Sequence, residues 1–172
     1  MFRQFLLFFF LFALAISTGC STKSQFNQVS DAQNQCPPYF SIGEIKDSSN
    51  YSPGKNDPAI EPSEMMRSAL KNELTKKGYF AEKSENVSTI NIEILNYAPG
   101  NAFARWLFPG AGASKLKIQT ALVDCKNIEI ANIPIDRSIA AGGGYTIGAW
   151  EYVFTDVAER LVQDLEKNVL KK

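Results

Sequence analysis

Ser68-Ala69-Leu70-Lys71 places a hydroxyl and an ammonium one helical turn apart. This is the Ser-x-x-Lys spacing in which penicillin-binding enzymes activate a serine nucleophile. The partner motifs of that chemistry, Ser-Asp-Asn and Lys-Thr-Gly, are absent from the chain, and the short pattern arises readily in any amphipathic helix. Gly110-Ala111-Gly112-Ala113-Ser114-Lys115 is only loosely like a phosphate loop, since the Gly-Lys-Ser/Thr ending is missing and the stretch leads into a strand instead of opening a helix. Glu44, Asp47 and Asp124 are carboxylates with no spacing that argues for pairing. His is absent altogether, which removes the commonest acid–base group near neutral pH and the commonest metal ligand. No catalytic residue, metal or cofactor is implied, and the expectation is a protein that is not an enzyme.

The three cysteines carry chemistry of another kind. Cys20 closes a stretch in which Arg3 gives a positive start, Phe5 to Ile16 is uncharged and apolar, and Ser17-Thr18-Gly19 are small. The apolar run is shorter than the ~20 residues a membrane span needs, and its small-residue end has the shape of a processing site. Residues 1–19 therefore read as a signal peptide. Its end resembles a bacterial lipoprotein box, with Ser17 where an aliphatic residue is commoner, and Cys20 is the expected lipidation site; the alternative is an ordinary secretory peptide that happens to contain Cys20. In such lipoproteins Asp directly after the lipidated Cys favours inner-membrane retention. Ser21 in that place implies the periplasmic face of the outer membrane. Export puts Cys36 and Cys125 in an oxidising compartment, and two thiols are too few for a structural zinc site. A Cys36–Cys125 disulfide is the leading reading, with two separate buried thiols as the alternative.

Residues 20–35 are polar and rich in Ser, Gln and Asn, with Phe26 and Val29 as the larger apolar side chains. They read as a lipidated Cys followed by a flexible tether spanning roughly 20 Å. Residues 36–172 are expected to form one periplasmic domain. With Arg3 and the rest of the leader removed, 17 of the 18 basic residues and all 18 acidic ones remain, so no basic footprint for nucleic acid is present.

Within the domain, Tyr39 to Lys46 reads as a strand, and Ser63 reads as the N-cap of a helix with Met66, Leu70 and Leu74 at helical spacing. Gly78 closes that helix. Thr89 to Tyr97 alternates through Ile90, Ile92 and Ile94, and Lys115 to Val123 through Leu116, Ile118 and Leu122. Ile128 to Ile139 returns as a third strand whose phase slips, predicting a bulge near Asn132 and an edge position for Pro134. From about Gly148 a wide apolar stripe, including Val153, Phe154, Val157, Leu161 and Leu165, predicts a final helix. The expectation is an α+β fold, β-α-β-β-β-α, with a four-stranded, mostly antiparallel sheet and two helices on one face. A helix crossing between two parallel strands would bring the end of the middle meander strand to the sheet border where the first strand starts, and hence Cys125 to Cys36.

Ala98 to Ser114 is long for a link between paired strands, and its cluster of Phe103, Trp106, Leu107 and Phe108 beside Arg105 argues against disorder. Either the loop completes the core, or Arg105, Trp106 and Phe108 form a contact surface for another protein or for lipid. Arg105 and Phe108 are expected to face outward, with Trp106 partly buried.

Tyr97-Ala98-Pro99-Gly100-Asn101, Arg105-Trp106-Leu107, Gly110-Ala111-Gly112-Ala113, the strand ending in Asp124 and Gly142-Gly143-Gly144 together resemble the bacterial lipoprotein family known as domain of unknown function 4410. The resemblance implies a lipid-anchored envelope protein and no catalytic residues. The order of strands and helices is also similar to small periplasmic modules of curli-secretion and peptidoglycan-synthase-activating lipoproteins, a likeness of fold alone. The reading that follows is an adaptor or assembly component of an envelope complex, with a lipid- or glycan-binding carrier or sensor as the alternative.

Overall fold

The computed structural model describes residues 21–30, 36–55, 57–82, 86–108, 111–140 and 148–170, apart from the side chain of Trp106. Its strands are β1 (Ser21–Ser24), β2 (Asn27–Gln28), β3 (Phe40–Asp47), β4 (Ser88–Ala98), β5 (Ser114–Val123) and β6 (Glu129–Ile139). The helices are α1 (Pro62–Lys76), α2 (Ala102–Leu107) and α3 (Ala149–Leu165), the last running into a short π-helical turn at Glu166–Leu170. The sheet order is β1-β6-β5-β4-β3, with β2 also on the outer edge of β6. The β3–β4 pair is parallel and every other pair antiparallel.

The α+β class and the six predicted elements are present, but among the described residues the sheet has six strands and there is a third helix. The two added strands come from the stretch read as a tether: Ser21 pairs with Ser138, Ser24 with Ile135 and Asn27 with Asn132. β1 has no apolar alternation because its side chains stay largely in solvent. Backbone hydrogen bonds to β6 hold it, and those leave no trace in the hydrophobic pattern. Pro134 accordingly lies inside the sheet and not at its edge. Its carbonyl accepts the Gln25 amide at 3.3 Å on the β1 side, the side where its missing N–H would also point. That missing donor falls in the gap between β1 and β2, where the pairing is interrupted.

The bulge in β6 lies at Ile130, two residues before the expected place, where Leu122 faces Ala131 and Val123 faces Glu129. It moves Ala131, Ile133, Ile135 and Ile139 onto the buried face. A second bulge, at Leu95, turns Tyr97 into the core after Ile90, Ile92 and Ile94. α1 starts at Pro62 with Glu61 as its N-cap, so Ser63 sits inside the first turn; Pro at the first position lacks only an amide that would be unbonded anyway. Gly78, in the left-handed region at φ 75°, ends it. α3 buries Val153, Phe154, Val157, Ala158, Leu161, Val162 and Leu165 against the sheet and α1, making one contiguous core. The other sheet face is open and polar, with Asn91, Glu93, Lys117, Gln119 and Asp136.

Cys36 and Cys125 form a disulfide, with Cα atoms 5.9 Å apart across 89 positions of sequence. The expected topology holds: β3 and β4 are parallel, β5 returns antiparallel, and the end of β5 meets the start of β3 at one border. Among the described residues no helix is long and apolar enough to cross a membrane.

Candidate functional site: the β4–β5 excursion

Between Ala98 and Ser114 the chain leaves the sheet, forms α2 and returns, closed at its base by a set of hydrogen bonds. Asn101 caps α2, its side-chain oxygen accepting the Ala104 amide at 2.9 Å. The Asn101 amide donates to the Gly112 carbonyl at 2.8 Å, which closes the base of the loop. The same carbonyl accepts Arg105 Nη1 at 2.6 Å, and Nη1 also reaches Ser114 Oγ at 3.1 Å. Ser114 Oγ in turn donates to the Pro99 carbonyl at 2.5 Å. One guanidinium thus ties the helix to the returning strand, and the hydroxyl beside it ties that strand to the outgoing one.

The glycines follow from this closeness. Gly100 and Gly112 both have positive φ, 71° and 61°. A Cβ on Gly100 would come within 2.5 Å of the Gly112 carbonyl, and one on Gly112 within 2.6 Å of the Asn101 carbonyl. Any other residue at either place would be strained in backbone and blocked in space.

Arg105 is only 3% exposed, which corrects the expectation that it faces outward. Burial lowers its pKa from the ordinary value, yet a guanidinium stays protonated, so the charge persists where it braces the loop. Phe108 does face outward, at 66% exposure, and Phe103 and Leu107 join it at 67% and 45%. The side chain of Trp106 lies outside the described residues, as do Cys20 and Gly142-Gly143-Gly144. The sequence pattern pointed to an exposed Phe108 but not to the inward turn of Arg105. It missed Asn101, Pro99 and Ser114 as loop-closing groups, although Asn three residues before the bonded amide is itself an N-cap signal.

A cleft of about 470 Å³ opens beside α2, lined among others by Asp57, Asn101, Phe103, Arg105 and Trp150. Behind it Tyr97 donates its hydroxyl to the Trp150 carbonyl at 3.1 Å and stacks edge-on with Tyr51, ring centroids 4.9 Å apart. Burial, reinforced by Tyr51 and Asp57, raises the Tyr97 pKa and keeps the phenol protonated.

The remaining sequence candidates do not converge. Ser68 faces solvent, while Lys71 lies 4.9 Å over the Phe80 ring and 3.9 Å from Glu82. Asp47 accepts the Ser49 amide at one sheet border. Asp124, at the opposite border, accepts the Lys126 and Ile128 amides at 2.8 and 2.9 Å and organises the β5–β6 turn.

The fold is similar to that of the PelC dodecamer from Paraburkholderia phytofirmans, with TM-score 0.53, 10% identity, and 82% of this chain and 97% of that one covered. It is also similar to protein XCC0632 from Xanthomonas campestris, with TM-score 0.52, 12% identity, and coverage of 79% and 88%. A minor lipoprotein from Acinetobacter baumannii aligns at TM-score 0.44 and 15% identity, over 76% of this chain and 94% of that one. No curated protein sequence matches the chain. A family model described as a domain of unknown function matches residues 25–143, reaching further toward the N-terminus than the motifs that carry the resemblance and taking in the whole Gly100–Arg105–Gly112 closure. The chain belongs to the DUF4410 family.

Proposed function

We propose that this chain is an outer-membrane-anchored lipoprotein of the periplasmic face, a non-enzymatic adaptor or assembly component of an envelope complex. The observation that carries this reading is the start of β1 at Ser21, one residue after Cys20. A lipid on Cys20 would be joined to the sheet with no slack, because one residue spans at most ~3.6 Å. The fold itself would then orient the domain on the membrane, which suits a fixed part of an assembly. The multiple acyl chains of a mature lipoprotein would make that hold firm. A braced loop presenting Phe103, Leu107 and Phe108 is what a contact surface requires.

The carrier or sensor reading draws on the cleft beside α2. Its lining mixes Asp57, Asn101 and Arg105 with Phe103 and Trp150, whereas a lipid carrier needs an enclosed apolar cavity. Phe108, exposed on the outside of the loop, belongs to a contact surface and not to the wall of such a cavity.

Radiolabelled palmitate should enter the wild type and not Cys20→Ser, and the wild type should fractionate with the outer membrane. In-cell crosslinking followed by affinity capture should then return a defined envelope protein, or further copies of the chain; PelC, which shares the fold, is itself a dodecamer. Stoichiometric recovery of a glycan or lipid with no protein would favour the carrier. Palmitate that never enters the wild type would refute the anchored reading.

A further inference from the structure

The strand register fixes where the anchor lies relative to the α2 excursion. Ser21 opposes Ser138 on β6, Ser138 opposes Lys115 on β5, and Lys115 opposes Ala98 on β4. One row across four strands therefore joins the residue after Cys20 to both feet of the excursion. With strands ~4.8 Å apart, Ser21 and Ala98 stand about 14 Å from each other along the same border. The Asp124–Ile128 turn and the Cys36–Cys125 disulfide occupy the opposite border, about 30 Å away along β5.

We propose that Phe103, Leu107 and Phe108 rest on the bilayer that holds the lipid of Cys20, so that α2 is a second, non-covalent foot beside the lipid anchor. The proposal rests on lipidation of Cys20. Given that, the occupant of the patch follows from geometry. Cys20 gives no slack, and the excursion projects from the very border that the lipid draws to the membrane. A patch carried on an excursion whose feet stand about 14 Å from Ser21 in the anchor row meets headgroups before it can meet a protein approaching from the periplasm. Lys23 and Lys115 are exposed within three residues of that border, as a surface facing anionic headgroups favours. The loop is also built for the task. Arg105 and its bonds to Gly112 and Ser114 brace α2 from beneath, while Phe103, Leu107 and Phe108 stay exposed rather than folded inward. Arg105 is in this respect a positioning residue. Two feet fix the tilt of the sheet, with the open polar face roughly upright and the disulfide border farthest from the membrane.

The test uses the full chain, lipidated in cells, purified in detergent and reconstituted in vesicles of phosphatidylethanolamine and phosphatidylglycerol. Single cysteines are introduced by Phe103→Cys, Phe108→Cys or Glu129→Cys and labelled with an environment-sensitive nitrobenzoxadiazole; Glu129 lies at the far border. Labels at 103 and 108 should emit to the blue and be quenched at least twofold by doxyl-labelled lipid, and the label at 129 should do neither. Probes at 103 and 108 that match 129, on protein shown to carry palmitate, would overturn the proposal and leave the anchored reading standing. Protein that takes up no palmitate would overturn both. Probes shielded in native outer-membrane vesicles and wet in pure lipid would assign the patch to a protein and overturn the bilayer as its occupant.

Discussion

β5 is joined to its neighbours by two antiparallel links of very different build. At its far end the turn from Asp124 to Ile128 has the ordinary length of a hairpin link. One carboxylate oxygen accepts two backbone amides, Asn127 takes the left-handed conformation at φ 64°, and Cys125 adds a covalent tie to Cys36. At its near end the link from Ala98 to Ser114 contains a helix, two close-packed glycines and a buried guanidinium. The first reverses the chain and ties it to the start of β3. The second uses many more residues and a buried charge for the same reversal, and what it gains is a firm base under three exposed apolar side chains. Length in a link is thus no sign of looseness, and the surplus structure is where function is to be sought.

The largest effect should come at the short link. Cys36→Ser with Cys125→Ser opens a loop of about 90 residues and should cost up to about 4 to 5 kcal/mol on the chain-entropy model, read from urea denaturation of oxidised wild type against the double variant. At the long link, Arg105→Met should lose about 3 kcal/mol, since it removes charge-assisted bonds to Gly112 and Ser114 and leaves their oxygens buried. Arg105→Lys should recover only part, because an ammonium cannot copy the planar fork. If Arg105→Met costs less than a change at Asp124, the contrast between the two links collapses. Asp124→Ala should cost about 1 to 2 kcal/mol, from two amides losing their acceptor in a turn that water can still reach.

Least of all should come from the apolar tip. Phe103→Ser and Phe108→Ser should each shift stability by no more than about 0.5 kcal/mol, because neither side chain is buried on folding. A drop of 2 kcal/mol or more in denaturation would place them in the core and remove the reason to regard the loop as a contact surface.

Much of this molecule is legible in its residues. Ile90, Ile92 and Ile94, Leu116, Ile118 and Leu122, and the α3 stripe each declare a half-buried strand or helix, because burial on one face imposes its period on the sequence. From the parallel β3–β4 crossover the Cys36–Cys125 bond follows by topology. β1 and β2 were invisible for the converse reason, since an edge strand held by backbone bonds needs no apolar side chain. Arg105 shows a further limit. Beside Phe103, Leu107 and Phe108 in sequence, it has the composition of a surface hot spot, and only the closing of the loop decides that the charge turns inward to the Gly112 carbonyl while the aromatics turn out. Periodicity records which face of a regular element is buried. The fate of an irregular segment depends on which distant backbone groups come within hydrogen-bonding reach, and that is fixed only when β4, β5 and β6 are in register.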